Sequence, residues 1–193
     1  MSLSHQRKKQ PELVRRSLID CAARIVAEAG VGGATIQAVA DAAGVTKGGL
    51  LHHFPSKQIL IEALFADLLE QLDAQLDAQL EGELEGDARS YGRFTRAYVR
   101  AMTRLSEEAS NGVWTALTLA MQSEKPLRAL WSGWLEARLR RHAKTDSDPS
   151  LAILRYAADG IWLAVLTEEV SSADARRKLL ALIDRLSRKP LAP

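Results

Sequence analysis

The chain has 193 residues, 47% of them hydrophobic, with 26 Lys and Arg against 24 Asp and Glu and a single cysteine. That is enough for one large domain or two small ones with a real core, and Cys21 alone excludes a disulfide framework or a thiolate metal cluster. Ala, Leu, Glu and Arg dominate and no alternating β-branched run competes, so the expected fold class is all-α.

Arg7, Lys8 and Lys9 are followed by no apolar run, so the N-terminus does not read as a signal peptide. Pro11 can open a first helix, and Leu13, Val14, Leu18, Ile19, Ala22, Ile25 and Val26 then recur at helical spacing until Gly30 stops it. Thr35 is placed to cap a second helix that buries Ile36, Val39 and Ala40 and ends at Gly44. Thr46 caps a third, which runs to about Phe54, because Pro55 cannot continue it. Ser56 caps a long fourth helix with an apolar stripe through Ile59, Leu60, Ala63, Leu64, Leu68, Leu72 and Leu76.

Beyond Gly82 and Gly86 a fifth helix is expected over about Ala88 to Glu107. A sixth starts at Ser110 or Asn111, and a seventh starts at Pro126. Thr145 to Pro149 reads as a polar loop, with Asp148-Pro149 opening an eighth helix to about Thr167. A capping pattern from Ser171 to Asp174 opens a ninth, and Lys189 to Pro193 reads as a tail. About nine helices are expected in all, in an N-terminal group of three and a C-terminal group of six. The most apolar stretch, Leu151 to Leu166, contains Arg155 and Asp159 and falls short of the roughly 18 residues of a membrane span. No membrane partner is expected, and a reducing cytoplasmic compartment is.

The densest signal is Thr35 to Lys57, TIQAVADAAGVTKGGLLHHFPSK. Two short helical patterns meet at a glycine, as in a helix-turn-helix unit. A major groove about 12 Å wide admits one helix, and a reading helix must be short, outward-facing and braced. Gly44 can take the positive φ of a sharp turn, and Val45 and Leu50 are expected to look inward. That leaves Thr46, Lys47, Gly49, Leu51, His52 and His53 outside. Gly48 and Gly49 each cost a helix interior about 1 kcal/mol relative to Ala. The return is close approach of backbone to another surface: DNA, or for Gly48 alternatively the first helix. Lys47, Lys57 and the N–H groups beneath Thr35 and Thr46 can meet phosphates. A metal site at His52 and His53 is disfavoured, since neighbours point about 100° apart on a helix. Arg7, Lys8 and Lys9 either follow the DNA or form a solubilising tail.

Charge divides sharply along the chain. Residues 61–88 carry Glu62, Asp67, Glu70, Asp73, Asp77, Glu81, Glu83, Glu85 and Asp87 with no Lys or Arg, behind a basic head. Such a pattern suits a polyanion bound at the head only, although an acidic run alone is also an ordinary solvated face.

The stretch from about residue 12 to 62 resembles the DNA-binding segment of the TetR family of bacterial transcriptional regulators. The likeness is densest at Thr35-Ile36, Val39-Ala40, Ala43 to Gly48, Leu50 and His53 to Lys57. It implies a homodimer whose first three helices bind DNA, residues 1–56 being the DNA-binding domain and residues 57–193 an effector-binding and dimerisation domain. It further implies that the last two helices pair as a four-helix bundle. Thr35, Thr46, Lys47, Gly49, His52, His53 and Lys57 fall where this family contacts DNA. Leu51 departs, standing where the family usually has Tyr; a hydroxyl contact is lost, but Leu51 can still meet a thymine methyl.

The remaining chain suggests candidates rather than a motif. Phe94, Tyr98, Met102, Trp114, Leu117, Met121, Trp134 and Trp162 are of the kind that wall a pocket for a small aromatic or lipophilic effector, and equally of the kind that fill a core. Leu151, Leu154, Ala158, Ile161, Val165, Leu179, Ile183 and Leu186 are the expected dimer face. Asp159 within the apolar eighth helix suits a pocket, a dimer seam or solvent. No catalytic triad, metal-ligand cluster or phosphate loop is visible, and Cys21 lies on an apolar helix as a buried structural thiol would, so neither enzyme nor cofactor is expected. The leading expectation is a repressor that binds a palindromic operator as a dimer and is released by an effector. A small-molecule binding protein with a degenerate head is the alternative.

Overall fold

A computed structural model of the chain describes residues 3–82, 91–107, 112–166 and 173–187. The expected helix-start signals at Ala88, Ser110, Asn111 and Ser171, the side chains of Arg7, Lys8 and Lys9, and the tail lie outside the residues or side chains described. Among the described residues the chain is helical, with no strand, and forms ten helices. They are α1 (Leu3–Gly33), α2 (Ile36–Ala42), α3 (Lys47–His53), α4 (Lys57–Gly82), α5 (Arg93–Glu107), α6 (Gly112–Met121), α7 (Lys125–Arg141), α8 (Ala143–Asp146), α9 (Pro149–Leu166) and α10 (Ala173–Leu186).

Several sequence expectations are corrected. Helix α1 begins before Pro11, which lies inside it; the helix-forming residues on its N-terminal side outweigh the one backbone donor that proline lacks. Gly30 still breaks the helical path, at φ 67°. The extra helix, α8, runs into the start of the segment read as a polar loop, because Asp146 is buried as a hydrogen-bonding hub rather than solvated. Leu13 and Ile59, placed on buried stripes, are 66% and 43% exposed. Helix α9 reaches 18 residues with mean hydropathy 1.3, so length does not exclude a span. Its charged groups are engaged within the fold: Arg155 donates to Thr95 Oγ1 (2.6 Å), and Asp159 accepts from the Tyr98 hydroxyl (2.5 Å).

Packing divides the chain into two compact units, Met1–Leu68 with Asn111–Leu130, and Leu69–Ser110 with Trp131–Pro193. This grouping differs from a division at residue 56, because α6 packs extensively on α1. In the first unit Leu18, Ala22, Val26, Val39, Ala40, Leu50, Phe54, Leu60 and Phe65 are fully buried. The start of α6 lies so close to α1 that a Cβ on Gly112 would sit 2.4 Å from the Ala27 carbonyl oxygen, so only glycine fits there. Phe65 meets Trp114 edge to face at 6.2 Å.

In the second unit α5 packs on α8, α9 and α10. Asp146 accepts from the backbone N–H groups of Phe94 (3.2 Å) and Thr95 (2.8 Å) and from the hydroxyls of Thr95 (2.6 Å) and Thr145 (2.7 Å). One buried carboxylate thus satisfies orphan donors at the start of α5, where the helix dipole favours a negative charge. Part of the acidic run is structural too. Asp73 accepts from Trp134 Nε1 and Arg138 Nε, each at 2.6 Å, and Asp77 accepts from Arg138 at 2.7 Å, which ties α7 to the second half of α4.

Candidate nucleic-acid interface

The turn between α2 and α3 is set by hydrogen bonds that only glycine makes cheap. Gly44 sits at φ 67°, its N–H bonds the Asp41 carbonyl at 3.1 Å, and the Val45 N–H reaches back to Ala40 at 3.0 Å. These two bonds close the end of α2 as a Schellman motif, with the left-handed residue where a Cβ would cost about 1–2 kcal/mol. Thr35 and Thr46 cap α2 and α3 as expected, accepting from Ala38 N (3.1 Å) and Gly49 N (3.0 Å). Ser56 does the same for α4, accepting from Ile59 N at 3.2 Å. At the other end of α3, Phe54 is extended (φ −136°), as a residue before proline prefers. Its ring is fully buried, with the Arg15 guanidinium 4.7 Å above it.

This scaffold sorts the side chains of α3. Leu50 is buried and Val45 half-buried, facing inward. Thr46, Lys47, Gly48 and His52 are exposed; Gly49, Leu51 and His53 are half-buried. The His52 and His53 rings stand edge to face at 5.5 Å. A Cβ built on Gly48 would meet nothing within 4 Å, so packing on α1 is not what keeps that residue small. On Gly49 it would meet only Thr46 Oγ1 at 3.3 Å and Val45 Cβ at 3.9 Å.

Thr35, the cap of α2, and Gln37 on that helix are exposed, the Gln37 amide donating to Asp41 at 2.7 Å. Lys57 has an additional task that spacing did not reveal. Its Nζ donates to the Gly32 carbonyl at 3.0 Å, tying the start of α4 to the connection before α2. An ammonium has three donors, so phosphate contact is still open to it.

The effector candidates fall in both units. Phe94, Tyr98, Met102 and Trp162 are buried in the second, where Trp134 is half-buried on Asp73; Trp114 and Leu117 are buried and Met121 half-buried in the first. None of these eight lines the cavity of about 320 Å³ found in the first unit. Asp159 faces α5 through Tyr98. Burial raises its pKa above the usual 3.8, against the opposing effects of the Tyr98 hydrogen bond and Arg155. Cys21 is buried, with Arg24 donating to its Sγ at 3.1 Å.

Of the expected dimer face, Leu151, Leu154, Ala158 and Ile183 are buried within their own chain, and Ile161, Val165 and Leu186 are half-buried. Only Leu179 is exposed. The large apolar side chains that α9 and α10 leave at the surface are Ile153 (64%), Tyr156 (71%), Leu163 (47%), Leu179 (44%) and Leu182 (40%).

A short, capped helix held outward by a glycine turn on an all-α body defines a helix-turn-helix reader of duplex DNA. Comparison with known proteins agrees along most of the chain. Residues 18–64 match the family described as bacterial regulatory proteins, tetR family, and residues 92–188 match the tetracyclin repressor-like C-terminal domain. The HTH-type transcriptional repressor KstR2 of Rhodococcus jostii (strain RHA1) is 29% identical over 168 residues, 78% of each chain. Among solved structures, a putative TetR-family transcriptional regulator from Rhodococcus sp. superposes with TM-score 0.68 at 24% identity, covering 90% of this chain and 98% of that one. The multidrug binding protein EbrR complexed with malachite green superposes with TM-score 0.70 at 21% identity, covering 92% and 98%. The chain belongs to the TetR family and is a DNA-binding transcriptional regulator.

Proposed function

We propose that the chain is a cytoplasmic, ligand-responsive repressor that binds a palindromic operator as a homodimer and is released by a small lipophilic or aromatic effector. Residues 1–56 read DNA, and residues 57–193 carry effector binding and dimerisation. The observation that carries the reading is the face of α3. Thr46, Lys47 and His52 are exposed around Gly48, whose missing side chain opens a path for the helix backbone toward a groove. Lys47 and the helix N-termini engage phosphates, His52 and His53 reach base edges, and Leu51 meets a thymine methyl.

The dimer face we propose is the stripe Ile153, Tyr156 and Leu163 on α9 with Leu179 and Leu182 on α10, in place of the buried set expected from the sequence. The exposure of these side chains on two helices that pack together supports it. Two α3 helices must then lie one DNA turn apart, roughly 34–36 Å.

The test is fluorescence anisotropy with duplexes from the DNA flanking the gene, titrated across salt. A repressor of this kind discriminates a palindromic site from scrambled DNA, and its affinity falls steeply with salt. Sequence-blind or salt-insensitive binding overturns the proposal.

A further inference from the structure

The cavity of about 320 Å³ in the first unit is within the roughly 300–1,000 Å³ usual for small-molecule sites. Its apolar walls are Val31 at the end of α1, Ile61 on α4 and Leu127 at the start of α7, the last two buried. Its charged groups are Glu62 and Lys57 on α4 and Glu124 just before α7. Glu62 is half-buried and Glu124 exposed, and neither carboxylate has an ion-pair partner among the described residues. Lys57 is the one cation in the lining, and its hydrogen bond to a carbonyl leaves its charge in place, so the lining sets two carboxylates against one ammonium. Lys57 holds the Gly32 carbonyl at 3.0 Å, and Arg128 donates to the carbonyls of Met121 and Gln122 at 2.8 Å each.

These charges choose the occupant. An anion would meet two unpaired carboxylates against the single ammonium of Lys57. A neutral apolar molecule would strip water from Glu62 and offer nothing in return. An organic cation answers the carboxylates with its ammonium and the walls with its body. We propose that this cavity is a binding site for a compact ammonium compound with an aromatic or alkyl body, separate from the eight aromatic and apolar residues expected to meet an effector. Such a ligand touches Val31, next to the Gly32 carbonyl that Lys57 holds, on the connection leading to α2. Any consequence for operator affinity rests on the DNA-binding reading; the site itself does not.

Calorimetric titration of the full chain with 2-phenylethylammonium, 2-phenylethanol and 3-phenylpropanoate tests it. The ammonium is expected to bind saturably and roughly tenfold or more tighter than the other two. The E62Q/E124Q double variant is expected to lose that preference and to bind the alcohol as before. The wild-type series needs no variant to fold, so it decides alone. Equal affinities for the three probes, no saturable ammonium binding, or an unchanged preference in a folded E62Q/E124Q protein overturns the proposal. Operator anisotropy run in parallel separates the two readings. Ammonium binding in a chain that ignores DNA upholds the site and removes the repressor, whereas operator binding without ammonium binding removes the site alone.

Discussion

Thr46 serves two purposes that a pair of substitutions can separate. Its hydroxyl accepts from Gly49 N at 3.0 Å and also lies on the exposed face of α3. Thr46→Ala is expected to lower stability by about 1 kcal/mol, read from urea unfolding, and to weaken operator binding further than that loss explains. Thr46→Ser keeps the cap and should retain most of both; equal damage from the two would remove the capping argument. Lys47→Ala addresses the phosphate role, and should weaken binding to all duplexes alike while reducing the salt slope by about one. A change confined to one base position would show instead that Lys47 reads sequence.

At the scale of elements, the start of α5 depends on a side chain more than fifty residues away. Asp146→Ala leaves the Phe94 and Thr95 N–H groups and the Thr95 hydroxyl without their acceptor, and is expected to cost roughly 3 kcal/mol in chemical denaturation. A loss within about 0.5 kcal/mol, as at ordinary surface sites, would mean water serves those donors equally well. Asp159, between α9 and α5, has the opposite relation to charge. Burial raises its pKa above the usual 3.8, so the folded chain holds the proton to higher pH than the unfolded chain. Its contribution is therefore complete below the unfolded value and is lost as pH rises through the folded one. Asp159→Asn keeps an acceptor for Tyr98 and never ionises. Its stability relative to wild type should grow as pH rises above about 4, and a difference that ignores pH would place Asp159 in water.

For the molecule as a whole, the governing question is which stripe of α9 meets a partner. Tyr156→Lys with Leu163→Lys puts two charges on the proposed seam while leaving the buried Leu151, Leu154 and Ala158 untouched. The double variant should sediment as a folded monomer and lose about 100-fold or more in operator affinity, since the second half-site is no longer delivered by the first. A dimer that survives both substitutions would move the interface elsewhere.

How far the sequence alone reached follows from the range of the forces involved. Caps, the glycine turn and the proline stop are local, acting within a few residues, so Thr35, Thr46, Gly44 and Pro55 were legible and all ten helices but α8 had a signal in the described chain or beside it. The outward face of α3 was legible in part, because a short amphipathic helix has one apolar side: Leu50 is buried and Thr46, Lys47 and His52 are exposed, whereas Gly49, Leu51 and His53 are half-buried. Long-range partners were not. Asp146 looked like a loop residue until it met α5, the hold of Lys57 on Gly32 had no local signal, and the acidic run looked solvated until Arg138 took Asp73 and Asp77. The choice of buried face on α9 has the same origin. That helix is apolar on more than one side, and its 3.6-residue period is satisfied by Leu151, Leu154 and Ala158 as well as by Ile153, Tyr156 and Leu163. Residue order determined that α9 is a helix; only the packing of α5 and α10 against it decided which stripe was buried and which was left for something else.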